Sequence, residues 1–220
     1  MGDWDKYVAA DFPLEFPKGS RVLDVGCGDG NQMRELARES CSLLGIDIDT
    51  PSLVKCRNAG LDVIRAAAEK IPVADASLDG IVCKVVLPYT REHEAIAEFG
   101  RVLKPGGKVY LIGHGAGYYL NYLLLSRSLA LRFYGFRSLM NTWCLNVSGY
   151  HLPRFLGDTI YQSRKRLNKH TAAANLTLHQ DIDSPKFLGF PVFIYETLAK
   201  GTPAAETQAM VPPAARMSAT

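Results

Sequence analysis

At 220 residues, with 47% hydrophobic and 21% charged residues, the chain has the length and composition of one soluble domain able to bury a substantial core. A formal net charge of +3 is too small to argue for a nucleic-acid partner. Five scattered cysteines (Cys27, Cys41, Cys56, Cys83, Cys144), odd in number and without a C-x-x-C pair, argue against a disulfide framework or a zinc site. They fit a reducing cytosol, so the expectation is a cytoplasmic protein without a metal.

The opening MGDWDKYVAADF has early acids and lacks the basic-then-apolar order of a secretory signal. Arg21–Val25 reads as a buried strand ending in the glycine-rich GCGDG. Asn31–Ser40 then places Met33, Leu36 and Ala37 at helical spacing. Ser42–Ile48 reads as a second strand, followed by Thr50-Pro51 as a helix start. Leu61–Ile64 and Gly80–Val86 are the third and fourth strands, and Thr90 is the expected cap of a helix through Arg101. Lys108–Ile112, after the KPGG turn, is the fifth strand.

The rhythm then breaks. Tyr118–Phe136 is a long aromatic, helix-like segment, Arg154–Lys169 a further helix, and Leu176–His179 and Pro191–Leu198 two final strands. The apolar stretch from Val109 to Leu125 holds three glycines, His114 and Asn121, so it predicts strand, turn and helix rather than a membrane span. Thr202–Thr220 is rich in Ala, Pro and Thr without a periodic apolar face and is expected to be disordered. Near-continuous apolar strands alternating with helices predict a parallel sheet covered on both faces.

The sharpest motif is Val22-Leu23-Asp24-Val25-Gly26-Cys27-Gly28-Asp29-Gly30. Glycines at the carboxyl end of a first strand let the chain turn tightly and let a ligand approach the backbone. A dinucleotide site wants G-x-G-x-x-G with an acid roughly 20 positions on. Here the third glycine comes one place early and Asn31 stands where that pattern wants glycine, although Asp47 meets the acidic requirement. The spacing leans away from a nicotinamide dinucleotide while leaving an oxidoreductase as an alternative.

The segment VLDVGCGDG resembles the first motif of class I S-adenosylmethionine-dependent methyltransferases, in particular the methyltransferase type 11 family. GIDIDTPSL, EKIPVADASLDGIV, VVLPYT and RVLKPGGKVYLIG are similar to four further motifs of that family, in order, over about Arg21 to Gly113. The resemblance implies a Rossmann-like, seven-stranded, mostly parallel sheet with helices on both faces and strand 7 antiparallel. It implies a methyltransferase domain over 1–200 with a helical lid inserted after strand 5 (about 115–172), followed by the 201–220 tail. The implied cofactor is S-adenosylmethionine. By resemblance, Asp24 orients the loop and the methionine amino group, and Gly26, Cys27 and Gly28 set backbone against the methionine portion. Asp47 takes the ribose hydroxyls, Ile48 packs on adenine, Ala68 and Glu69 lie in the adenine-edge loop, and Cys83 lies where strand four passes the methionine. Tyr7 is a further covering candidate. The family's usual acid before Ala-Glu is replaced by Ala67, which leaves the adenine amino contact to Glu69 or a carbonyl, or weakens the cofactor site.

His114, directly after KVYLIG, is the candidate general base, and Tyr89 a pocket-shaping or hydrogen-bonding candidate. His93 reads as solvent-exposed and His151 as a loop residue able to face a lid. RVLKPGG reads as a purely structural helix end and turn. The segment 118–136 is expected to act as a lid with an apolar lining. Contact with a membrane surface or lipid acceptor, motivated by Arg127, Arg132 and Arg137, and a homodimer interface are its alternatives. The run Arg164-Lys165-Arg166 with Lys169 and His170 reads as a solvated face near a helix C-terminus, with an anionic acceptor as the functional alternative.

The expected function is methyl transfer to a small hydrophobic or aromatic acceptor, at oxygen. The alternatives are a lipid-like or quinone-type acceptor at a membrane surface, a nicotinamide-dependent oxidoreductase and a non-catalytic cofactor-binding protein. The absence of an N-P-P-aromatic motif and of a Pro-Cys pair argues against a nucleic-acid substrate.

Overall fold

The computed structural model describes residues 14–39, 41–150, 152–153 and 159–202. Tyr7, His151 and nearly all of the 201–220 tail lie outside them. The seven-stranded sheet runs in the order β3(Val63–Arg65)-β2(Ser42–Asp47)-β1(Arg21–Val25)-β4(Leu78–Lys84)-β5(Leu103–His114)-β9(Phe193–Lys200)-β6(Leu176–Ile182). The first five are mutually parallel, and β9 is antiparallel to both β5 and β6. A two-stranded ribbon, β7(Lys186–Phe187) and β8(Phe190–Pro191), stands apart from it. The predicted Rossmann-like sheet with its last strand antiparallel is the observed one.

Strand periodicity sorts the side chains. Leu23, Val25, Ile81, Cys83, Val109 and Leu111 point to one face, under α3(Glu92–Val102) and α6(Arg164–Ala173), where Ile96, Phe99 and Leu167 complete the largest core cluster. Val22, Val82, Tyr110 and Ile112 point to the other, with Leu36 of α1(Asn31–Leu36) and with Phe16. α2(Thr50–Asn58) sends Leu53 and Cys56 to meet Met33 of α1. Its N-cap is Asp49, whose carboxylate accepts the Ser52 N–H at 3.0 Å, and Pro51 follows in its first turn.

Several local expectations are corrected. Thr90 does not cap α3; its hydroxyl donates to the Leu87 carbonyl, and α3 starts after Arg91. The 118–136 segment is not one helix but the join of α4(Ala116–Leu125) and α5(Leu129–Ser148). The break is made by serine chemistry: extended Ser126 ends α4, and Ser128 caps α5 by accepting from Leu131 N–H at 3.4 Å. Arg132 Nε then donates to the Leu123 carbonyl at 3.0 Å, satisfying a helix end. The two helices cross closely at Gly135, where a Cβ would stand 2.6 Å from the Tyr119 carbonyl oxygen.

Arg164-Lys165-Arg166 lies at the start of α6 while His170 is in its last turn, and Arg166 is not on a solvated face. It pairs with Glu92 of α3 through Nε–Oε1 at 3.1 Å and Nη2–Oε2 at 3.0 Å, with the carboxylate fully enclosed. RVLKPGG has the structural role expected: α3 ends at Val102, β5 begins at Leu103, and Gly106 makes the turn at φ +78°. Arg101 adds a staple, donating to the Ile71 and Val73 carbonyls and to Glu98 and Asp75. That staple holds the 71–75 loop against α3.

Candidate functional site

β1 ends at Val25, and the chain turns at Gly26, whose φ of +71° suits glycine and whose absent Cβ would stand 2.3 Å from Val86 Cγ2. The Gly26 and Cys27 N–H groups both donate to the Ile46 carbonyl, at 2.8 and 3.1 Å, which ties the loop to β2. Asp47, at the end of β2, extends the tie: Oδ2 accepts the Gly28 N–H at 2.8 Å and Oδ1 the Asp49 N–H at 2.9 Å. Each carboxylate oxygen has two acceptor positions, so both keep one for a further donor. Ala66 N–H donates to the Asp47 carbonyl at 3.1 Å, which sets the 66–69 loop beside it.

A cavity of about 640 Å³ opens over this loop, at the carboxyl ends of β1, β4 and β5. This is where an open α/β sheet receives ligands. Its floor follows from strand alternation: Asp24 on β1, Lys84 on β4 and His114 on β5 share the α1 face of the sheet. Gly26, Cys27 and Gly28 form one side and Tyr89 and Tyr118 the other.

The ionisations in this cavity are governed by burial. Asp24 is enclosed and its Oδ2 has no hydrogen-bond partner among the described residues. Burial pushes its carboxyl up to about 7, with Lys84 pulling down and Asp47 pushing up. Lys84 is lowered from its ordinary value by the same desolvation, against the pull of Glu35 and Asp24, and its ammonium donates to Gln32 Oε1. Burial lowers His114 to about 3, so its imidazole is neutral at pH 7. That ring stacks on Tyr118 at 3.8 Å and 9°, and its Nδ1 lies 3.4 Å from the Tyr119 hydroxyl. Tyr89 and Tyr118 are raised by burial and by their hydroxyl partners, Tyr134 at 3.3 Å and Tyr122 at 3.0 Å, so both stay protonated.

Of the residues singled out from sequence, the cavity brings together Asp24, Gly26, Cys27, Gly28, Tyr89 and His114. Asp47 stands behind the glycine loop. Ile48 is exposed next to it, and Ala68 is buried in the core. The Glu69 carboxylate accepts the Arg91 N–H at 2.9 Å at the start of α3, so it carries a structural bond there. Cys83 turns its thiol away from the cavity into the α3-side core, where burial pushes it up to about 12. The residue β4 contributes instead is Lys84. Its signal was present, a charge closing an apolar strand, but only the register places it beside Asp24. Tyr118 and Gln32 were also missed. Val85, which follows Lys84, has φ +60°, a strained value for a β-branched residue, and lines the same cavity.

Residues 23–111 match the model of the family described as "Methyltransferase domain". Over those residues, less than half of its length, the chain is similar to methyltransferase domains. The methyltransferase match spans β1 to β5 and includes Asp24, the glycine loop, Asp47 and Lys84, but ends before His114. A tRNA (carboxymethyluridine(34)-5-O)-methyltransferase of Arabidopsis thaliana is 35% identical over 112 residues, covering 49% of this chain and 27% of its own. A ubiquinone biosynthesis O-methyltransferase of Xylella fastidiosa is 32% identical over 114 residues, covering 48% and 45%. The chain thus spans less than half the length of these relatives. A SAM-dependent methyltransferase from Methanosarcina mazei has the same fold, with a TM-score of 0.63, 21% identity and coverage of 86% of this chain and 95% of its own.

The cavity suits that cofactor type on two observations. A buried carboxylate oxygen on Asp24, without a partner among the described residues, calls for a cationic group such as an α-amino group. The glycine loop leaves backbone where side chains would fill the space.

Proposed function

We propose that the protein is an S-adenosylmethionine-dependent methyltransferase that delivers a methyl group to oxygen of a small hydrophobic or aromatic acceptor. The observation that carries this reading is the carboxylate oxygen of Asp24 that has no hydrogen-bond partner among the described residues, in a cavity with the glycine loop on one side and Tyr89, His114 and Tyr118 on the other. S-adenosylmethionine supplies an electrophilic methyl group on a sulfonium.

The chain's own residues bind and orient. Asp24 pairs with the amino group. Asp47 offers its remaining acceptor positions to the ribose hydroxyls while holding Gly28 and Asp49. Tyr118 and the stacked His114 give a flat wall against which an aromatic acceptor lies with water excluded. Positioning of this kind can supply roughly 7–11 kcal/mol of a displacement barrier.

Oxygen is favoured because the Arabidopsis thaliana and Xylella fastidiosa relatives are each named for transfer to oxygen. Tyr89 stays protonated and His114 is a weak base at neutral pH, so both serve as hydrogen-bonding groups. This favours an acceptor oxygen acidic enough to ionise near neutrality, such as a phenol bearing electron-withdrawing groups.

The test has two stages. Titration calorimetry with S-adenosylhomocysteine and with NADH should show binding of the first alone; binding of NADH alone would overturn the reading. A methyl-consumption screen against phenolic and other hydroxylated metabolites, with mass detection, should then find a product heavier by one methylene on oxygen. A product methylated only on nitrogen or carbon would overturn the oxygen assignment.

A further inference from the structure

α5 is built inside out. Its buried residues are Gly135, Ser138, Asn141 and Thr142. The polar members are satisfied inward: Thr142 Oγ1 donates to the Ser138 carbonyl at 2.8 Å and accepts the Tyr161 N–H at 3.0 Å, while Asn141 donates to the Thr159 carbonyl and accepts from Leu152 N–H. Its solvent side carries Leu129 (81% exposed), Phe133 (60%), Phe136 (50%), Trp143 (58%) and Val147 (69%). With half-buried Met140 these residues recur at alternating steps of four and three, a single stripe along the whole helix. An amphipathic helix facing water has the opposite arrangement.

The charge around the stripe is of one sign. Residues 116–150 contain Arg127, Arg132 and Arg137 and no Asp or Glu. At about 100° per residue Arg132 falls on one flank of the stripe, while the Arg137 guanidinium lies over the inward Tyr134 ring, 5.6 Å from its centroid, with its Nε buried. Exposed Leu124 and Leu125 extend the apolar surface at the α4–α5 turn, next to Arg127. A second copy would bring like charges together with no acid on this hairpin to pair them, whereas paired helices ordinarily match opposite charges beside the apolar seam. Anionic lipid headgroups supply the missing negative charge, and acyl chains accept the Phe and Trp side chains. Among the described residues no helix is long and apolar enough to cross a membrane, so the fitting geometry is a helix lying in the interface.

We propose that α5 docks this protein on an anionic lipid bilayer, with the Leu129–Val147 stripe toward the acyl chains and Arg127 and Arg132 at the headgroups. The docked face backs onto the cavity wall: on the inward side of α5 the Tyr134 hydroxyl meets that of Tyr89, which lines the cavity. This docking stands independently of the proposed methyl transfer, because its readout requires no turnover.

The chain has two tryptophans, Trp4 and Trp143, so Trp4→Phe leaves Trp143 as the only reporter. The whole 220-residue chain is mixed with phosphatidylcholine vesicles and with vesicles holding about 30% phosphatidylglycerol. Sedimentation with the anionic vesicles and a blue shift of Trp143 emission are expected, with weak binding to the neutral ones. Phe133→Asp with Val147→Asp should reduce partitioning by more than about tenfold, and Arg127→Gln with Arg132→Gln by about fivefold per arginine. Unchanged circular dichroism and S-adenosylhomocysteine binding establish that these surface variants are folded. Absence of vesicle binding by the Trp4→Phe protein overturns the proposal. So does Trp143 emission already blue-shifted in buffer, with Phe133→Asp converting a dimer to a monomer (a second copy covers the stripe) or with the protein monomeric throughout (another segment of the chain does).

Discussion

Asp24 on β1 and Lys84 on β4 face one cavity from adjacent strands, and burial drives each toward its neutral form while their mutual attraction opposes it. Asp24 rises to about 7 from an ordinary 3.8. A carboxyl raised on folding stabilises the folded state below its ordinary value, and that contribution is lost as pH rises through about 7. A ligand carrying an amino cation has the opposite preference, because it needs the carboxylate.

S-adenosylhomocysteine affinity should therefore increase with pH up to about 7 and level off above it, falling about fivefold from pH 7 to pH 6. Calorimetry in buffers of different ionisation enthalpy should detect proton release on binding near pH 6.5. Asp24→Asn should bind weakly and without this pH dependence; a wild-type affinity flat from pH 5.5 to 8 contradicts the assignment. Lys84→Met removes the ammonium that holds Asp24 down, so the levelling-off point should move above pH 7. An unmoved point would mean that Lys84 does not influence Asp24.

Asp47 links the glycine loop to the start of α2 by two backbone hydrogen bonds of 2.8 and 2.9 Å. Asp47→Ala leaves the Gly28 N–H without its acceptor and removes the carboxylate offered to the ribose. Cofactor binding should weaken by about 1.5–3 kcal/mol, as for losing hydrogen bonds to a charged group. Asp47→Asn should retain part of the affinity, and normal binding by the alanine variant would refute the role.

Glu92 and Arg166 join α3 to α6 in a nearly solvent-free contact. Glu92→Ala strands the Arg166 guanidinium, and the expected loss of stability is about 3–5 kcal/mol, read from the urea midpoint. Glu92→Leu with Arg166→Met should recover most of it, since the desolvation cost disappears with the charges. A single variant as stable as wild type would show the pair to be solvated in solution.

His114 is neutral across the physiological range because burial holds it near 3. Its imidazole nitrogen resonances should not titrate between pH 5 and 8, with His114→Asn used for assignment. A histidine lowered on folding also makes stability fall as pH drops from about 6.5 toward about 3, because the unfolded chain takes up the proton first. A midpoint near 6.5 in the folded protein would restore His114 as a base candidate.

The glycine loop, the parallel strands and the acid ending β2 were legible in the sequence because each is a local demand. A tight turn after a buried strand requires Gly26, and buried parallel strands require apolar runs such as VLDV and GIVC. The antiparallel last strand came from family resemblance, and the sheet order bears it out. What the sequence could not carry was facing. Cys83 and Lys84 are neighbours, yet strand alternation buries the thiol under α3 and turns the ammonium toward Asp24, and the β1–β4 register decides which is which. The α4–α5 segment shows the same limit. Composition revealed a greasy helix, but only packing showed that its small polar residues face the protein and its Phe, Trp and Leu side chains face outward. Side-chain direction depends on which surfaces meet, and meeting surfaces are a property of the folded chain.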